Sequence, residues 1–224
     1  AIDTETEFYN GPLVRMKNHQ VSGGKLLLDI QNTNYFSHVG TRNNPELEKG
    51  ERADPLSVGA HLQTSDGYIV LGEKSGMVEI GEGEYQLPGA GFIENPKLQY
   101  ERSLNAEPSS PIHRELEEEV NLDTTQLTGP EPAALIGAVY RQPMLVYKTD
   151  TVLDSEKVAE QWWEIPEAER EFSELVFIDE PEELLDGEVM KTGTERGSDL
   201  EFSKFTGSLR PHAEGALEAL NHSR

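Results

Sequence analysis

Glu115, Glu118 and Glu119 stand at i, i+3 and i+4 in the run Arg114-Glu115-Leu116-Glu117-Glu118-Glu119-Val120-Asn121-Leu122. On a helix their carboxylates share one face. Ile112, Leu116 and Val120 fall on another face at the same spacing, ready to pack against a core. Carboxylates crowded in this way repel each other unless something cationic lies among them. A hard divalent ion with oxygen ligands is the natural occupant. That makes the segment a candidate metal-dependent active site. The bland alternative is a charged helix surface.

That alternative has weight, because the whole chain is acidic. Its 224 residues include 42 Asp and Glu against 19 Lys and Arg, a formal net charge of −23. At this composition about one or two runs of three consecutive acids arise by chance, so Glu117-Glu118-Glu119 alone identifies nothing. The information lies in the combination with Arg114, the apolar positions and the segment before the helix. The charge argues against a phosphate-backbone partner, which needs a basic face, and against an anionic membrane surface. Lysine is sparse, at nine residues, and the acidic, lysine-poor pattern resembles cytosolic proteins of salt-loving archaea. There is no cysteine, which excludes disulfides and thiolate metal sites. The first ten residues are acidic and polar, unlike a signal peptide. The longest apolar stretch, Ala133 to Tyr140, is too short to span a bilayer. A cytoplasmic protein is expected.

The elements that must position the glutamates follow from periodicity and turn chemistry. Residues 1–53 read as an N-terminal extension. In it Lys25 to Ile30 forms a strand and Tyr35 to Gly40 a second short one, before Thr41 to Pro45 breaks the chain. A new pattern begins at Pro55. Leu56 to Thr64 alternates apolar and polar residues, Ser65-Asp66-Gly67 turns, and Tyr68 to Gly72 returns as a hairpin partner. Glu84 to Leu87 is a short strand leading into Pro88-Gly89-Ala90-Gly91-Phe92-Ile93-Glu94. Ser110 before Pro111 starts the glutamate helix, which runs to Val120, with Asn121 as a left-handed cap. Ala133–Tyr140, Met144–Lys148 and Glu174–Ile178 read as strands. Residues 154–162, Pro181 to Leu185 and 211–221 read as helices. Without a regular βαβ rhythm, the fold class is α/β in the broad sense: a mixed sheet flanked by helices.

Together, Pro88 to Glu94 and Arg114 to Leu122 resemble the two ends of a Nudix box, G-x5-E-x7-R-E-U-x-E-E-x-G-U with U a bulky apolar residue. The resemblance covers about residues 55–185. It implies a Nudix-type α/β/α sandwich over residues 54–224, with a C-terminal helix, behind the 1–53 extension. The second half of the box departs only at Asn121, where the family has glycine. Fifteen residues, not five, separate Gly91 from the best candidate glutamate, Glu107. This is an insertion of about ten residues, a length that loops accommodate at modest entropic cost. Ala90 stands where the family often has glycine.

By position, Glu118 and Glu119 resemble the metal-ligating pair, and Glu115 a glutamate that binds metal or acts as base. Arg114 resembles the arginine that orients them, and the Ala90 carbonyl a backbone ligand. A further carboxylate from a loop after the box is implied, with Glu171 first and Glu167 and Glu169 behind it. The resemblance implies Mg²⁺, with Mn²⁺ as the alternative, and a small nucleotide-derived substrate. It allows a homodimer. Short matches at Tyr35, Gly40-Thr41, Asn43, Pro55-Leu56 and Thr64 to Gly67 are similar to a branch acting on UDP-sugars. Two functions stay open: a hydrolase of nucleoside diphosphates linked to another moiety, and an inactive module that binds a nucleotide or regulates a partner. Trp162 and Trp163 suit core packing or base stacking. Tyr140 and Arg141 suit substrate contact or a surface ion pair. His113 suits the helix surface.

Overall fold

The computed structural model describes residues 10–23, 25–42, 44, 46–48, 50–76, 82–94, 110–137, 142–179, 188–192 and 200–221. Glu107, the 95–109 part of the insertion, Tyr140, Arg141 and the expected helix at Pro181–Leu185 lie outside them.

Ser57–Gln63 (β3) is buried along nearly its whole length, with Val58, Ala60 and Leu62 fully covered. A strand buried on both faces belongs in the middle of a sheet. β3 pairs parallel with Met144–Thr151 (β8) and antiparallel with Ile69–Lys74 (β4). The sheet continues through Phe172–Ile178 (β9), Glu188–Lys191 (β10) and Glu201–Lys204 (β11) on one side, and through Leu127–Ile136 (β7) on the other. The mixed sheet expected from sequence is therefore present.

Alternation divides each central strand between two cores. Val58, Ala60, Leu62, Val70, Leu145, Tyr147, Leu175 and Phe177 face one side, with the helices Ser110–Val120 (α2) and Ser155–Trp163 (α3). Ile69, Leu71, Met144, Val146, Val176 and Ile178 face the other, under the last helix, Pro211–Asn221 (α4). The result is a helix–sheet–helix sandwich.

Two local features shape the site. First, β3 and β4 pair beside their connecting turn, at Gln63 and Ile69, and then separate. Gly91–Phe92 (β6) pairs with the start of β3, and Glu84–Gln86 (β5) with the end of β4. The segment Leu87–Ala90 therefore sits in the fork, where the Pro88 carbonyl accepts from the Ala60 N–H at 2.9 Å. Second, Ile112, Leu116 and Val120 are fully buried, as their spacing requires. Asn121 takes φ +58°, ending α2 in the left-handed conformation, and its Nδ2 donates to the Gln161 carbonyl at 3.0 Å, tying α2 to α3. Asparagine thus supplies the bend that glycine would and adds a bond that glycine could not.

The extension departs from expectation. Pro12–Ser22 (β1) and Lys25–Asn34 (β2) form a separate two-stranded sheet, and β1 was not legible in the sequence. Its root is bound to the fork, since Val14 N–H donates to the Ile93 carbonyl and Leu56 N–H to that of Val14. Tyr35–Arg42 is a helix (α1), not the expected strand. The deciding residues precede its first turn: Asn34 Oδ1 accepts from Ser37 N–H and Asn10 Oδ1 from Phe36 N–H, each at 2.9 Å. Such side-chain caps satisfy helix-start donors that a strand would leave to a partner.

No helix among the described residues is long and apolar enough to cross a membrane. Leu116 joins α2 to the fork, so Leu116→Ala is expected to lower the unfolding free energy by about 2–5 kcal/mol. Urea titration should show this as a lower midpoint with little change of slope.

Candidate active site

Glu119 is the most constrained of the three glutamates. It is 1% exposed. Its Oε2 accepts from the Gly89 N–H at 2.6 Å and from the Ala90 N–H at 3.4 Å, while Oε1 is buried without a hydrogen-bond partner. Gly89 has φ +67°, and a Cβ there would lie 3.1 Å from Leu116 and 3.2 Å from Ala60. Glycine thus serves both the turn and the close approach of loop to helix. Burial pushes the Glu119 carboxyl well above its ordinary range. The Lys74 charge and the Gly89 bond oppose this, and the Glu171 and Glu115 charges add to it.

Glu115 lies one turn earlier. Its Oε1 accepts from Arg114 Nη2 at 2.6 Å, and its side chain is 12% exposed. Burial raises its pKa, against the hydrogen bond and charge of Arg114. A Cβ on Gly91 would fall 2.2 Å from the same Oε1, so β6 passes directly beneath this carboxylate. Glu118 is 62% exposed, and its Oε1 is 4.0 Å from Arg114 Nε. Arg114 therefore faces both Glu115 and Glu118.

Lys74, at the end of β4, is 8% exposed. Its Nζ donates to Glu171 Oε2 at 3.0 Å. Through this contact Glu171 enters the electrostatic field of Glu115 and Glu119, whereas Glu167 and Glu169 lie on an exposed single turn. The structure thus gathers Glu115, Glu119, Glu171 and the Ala90 segment, with Glu118 at the solvent edge. Sequence reasoning missed Lys74. Its signal was a lysine ending an apolar strand in a lysine-poor chain.

The two tryptophans are explained by packing. Trp162 is buried. The Arg170 guanidinium lies 4.9 Å from its ring and 4.4 Å from that of Trp163, and also donates to the Ile165 and Trp163 carbonyls. His113 is half-buried on α2.

Across the fork a cleft opens toward α4. It shares Lys74, Ala90 and Gly91 with the carboxylate site and continues to Gln86, Arg210 and His212. His212 Nε2 lies 2.5 Å from the Gln142 carbonyl, and burial lowers its pKa. Nothing in the sequence marked Gln86 or Arg210.

Among the described residues, no three His, Asp or Glu side chains already converge as a metal cage. Mg²⁺ does not need one: it keeps several waters and takes one or two carboxylates plus substrate phosphates. Two observations fit such an ion: the donors are all oxygen, and the buried Glu119 carries an unpartnered oxygen.

No family model and no curated protein matches the chain. Solved structures do. A MutT/Nudix family protein from Listeria innocua is 15% identical, over 75% of this chain and 92% of that one, with a TM-score of 0.44. The Nudix domain of Shewanella oneidensis NrtR, solved with ADP ribose, is 14% identical over 80% and 94%, at 0.38. DR0079 of Deinococcus radiodurans is 20% identical over 49% and 62%, at 0.34, so the match spans less than two thirds of that protein. NrtR is also matched as a complex with a 27mer DNA, so these likenesses lend no support to the expected absence of a nucleic-acid partner.

The buried Glu119 carboxylate gives a sign-defined prediction. Its folded pKa lies above the unfolded value, so the folded state binds the extra proton, and stability falls as pH rises from about 4.5 through the folded pKa. Glu119→Gln removes that cost and should raise the metal-free thermal midpoint at neutral pH, by about 2–4 °C per kcal/mol relieved. Mg²⁺ should raise the midpoint of the parent protein and not of this variant. Differential scanning fluorimetry over pH, with and without Mg²⁺, reads both effects.

Proposed function

We propose that this chain is a Mg²⁺-dependent hydrolase of the Nudix family. It would cleave a phosphoanhydride in a nucleoside diphosphate linked to another moiety, such as a nucleotide sugar or ADP-ribose. The observation that carries the reading is the bond from the Gly89 N–H to Glu119. It folds the Pro88–Gly91 loop over the Arg114-Glu115-x-x-Glu118-Glu119 face of α2, joining the two halves of the sequence motif in space.

Glu115, Glu118 and Glu119 would hold the metal, with Glu171 and the Ala90 carbonyl as further ligands. When bound, Mg²⁺ supplies positive charge on the phosphate oxygens and lowers the pKa of a coordinated water. The chain's own residues do the rest. Arg114 fixes the Glu115 carboxylate by a charge-assisted bond. Gly89 fixes Glu119. Lys74 holds Glu171 and offsets part of the negative field on the cleft side. Leu116 and Ile112 keep the helix face at a set height over the fork.

Two departures from the family pattern do not favour the inactive module. Asn121 adopts the required left-handed bend. Ala90 keeps its N–H directed at Glu119. The net charge of −23 supports a small substrate accompanied by its own cations over a polyanionic partner.

The test is a screen of UDP-sugars, ADP-ribose, dinucleoside polyphosphates and nucleoside triphosphates with Mg²⁺ in molar KCl, read as nucleoside monophosphate or phosphate release. Glu118→Gln should keep its circular dichroism spectrum and lose more than about a hundredfold in turnover, beyond the 10–100-fold expected of groups that only support a ligand. Full activity in that variant, or binding without product release by the parent protein, would remove the hydrolase reading.

A further inference from the structure

Charge and exposed apolar surface are both distributed unevenly in this chain, and both anomalies fall in the N-terminal extension. Residues 10–42 contain a single acidic residue, Asp29, where about six would be expected from the chain's average composition. The same stretch carries Arg15, Lys17, Lys25 and Arg42. Lys17 and Lys25 are exposed, and neither makes an ion pair with a described residue. Among the described residues, five of the seven large apolar side chains left exposed also lie here: Val21, Leu26, Leu27, Phe36 and Val39.

The β1–β2 hairpin shows how the two anomalies meet. It pairs from Pro12↔Asn34 at the root to Ser22↔Lys25 at the tip. Directly opposed residues share a face. Near the root one face carries Met16, Ile30 and Leu28, packed against the core. The same face continues outward through Leu26 and Val21, which are 37% and 71% exposed. From Lys17 to Leu27 every described residue is exposed. The outer half of the hairpin is therefore an arm that leaves the body while keeping its apolar stripe. A two-stranded hairpin is marginal in water unless a face packs against something. Exposed apolar surface gathered in one place marks an interaction site.

We propose that this arm docks on the acidic body of a second copy of the chain, which docks its own arm in return. Two copies at −23 each repel unless opposite charges meet where they touch. Every acidic residue but Asp29 lies outside residues 10–42, so the body supplies the charge that the arm lacks. Arm against arm would set lysine against lysine. Arm against body sets lysine against carboxylate, with the apolar stripe between them. Reciprocal exchange closes a twofold dimer and leaves neither arm free. A nucleic acid would also attract Lys17 and Lys25, but would meet the acids of the body beside them. The proposal is independent of the reaction proposed above, and turnover is not its readout.

The experiment is sedimentation velocity of the whole chain from about 1 to 100 μM. It is run in molar KCl and at the lowest KCl that preserves the circular dichroism spectrum. A dimer is expected, tighter at the lower salt. Lys17→Glu combined with Lys25→Glu should weaken it about tenfold or more at the lower salt. Lys148→Glu combined with Lys157→Glu, the same charge change on the body, should not weaken it. Val21→Ser combined with Leu26→Ser should weaken it at both salts. All these side chains are exposed, so the spectra should not change. The chain has no cysteine, so Val21→Cys places a single photoreactive maleimide on an otherwise unaltered arm. Its crosslinks between copies should map outside residues 10–42. A monomer at the highest concentration would overturn the proposal. So would a dimer indifferent to the arm variants, or crosslinks confined to the other arm. A monomer that binds a labelled DNA duplex through Lys17 and Lys25 would assign the arm to nucleic acid instead.

Discussion

A buried carboxylate held by backbone donors of one loop organises this protein. Glu119 is withdrawn from water and meets the Gly89 N–H. A buried charge is tolerated only when hydrogen-bonded or paired. The bond therefore requires the loop to enter the fork between β3 and β4, and the loop requires glycine at positive φ with Leu116 and Ala60 tight against it. Those contacts set the height of α2 above the sheet, and the height sets where Glu115 and Glu118 project. A helix packed only by its apolar stripe could slide by a side chain's width. One anchored through a charge-assisted bond cannot do so without stranding the charge.

Cations are placed against the same constraint. In a chain with so few of them, Lys74 is buried where it faces Glu119 and bonds Glu171, and Arg114 spans Glu115 and Glu118. Neither closes the site. Glu119 keeps an oxygen without a partner, and Glu118 is largely exposed. The carboxylates are partly neutralised from the flanks, and a divalent cation would complete the balance at the centre. Surface acids elsewhere pair weakly and are hydrated, which explains why charge runs carried little information while the same residue type carried much at a few positions.

What could be read from the chain divides along physical lines. The glutamate helix was legible because 3.6-residue periodicity and a proline start are local, and Asn121 announced its own left-handed bend. The central strands were legible because burial imposes period-2 alternation. β1 and α1 were not. β1 carries few apolar residues beyond Leu13 and Val14 and exists by pairing with β2. α1 depends on capping by Asn34 and by Asn10, which lies 26 positions before the residue it caps. Lys74 and Gln86 gain their meaning from residues about a hundred positions away, Glu171 and Arg210, a relation no window along the sequence contains. Glu171 could be named as a loop carboxylate after the box, but its hold on Lys74 came only with the fold.

Because β3 and β4 part, a single loop touches both layers: Gly89 and Ala90 face Glu119 on the α2 side, and Ala90 and Gly91 line the cleft on the α4 side. The elements beyond the loop differ in kind. α2 is fixed by the buried carboxylate and has little freedom to vary. The far end of the cleft is built from β5 and the start of α4, where Gln86 meets Arg210, Tyr85 bonds Glu174, and His212 lies against the Gln142 carbonyl. None of these contacts runs through Glu119, so substitution there changes what lines the cleft while the anchor of α2 stays in place. Gln86 lies three residues before Gly89, so the strand end that meets Arg210 on one side of the fork also delivers the loop to the glutamates on the other.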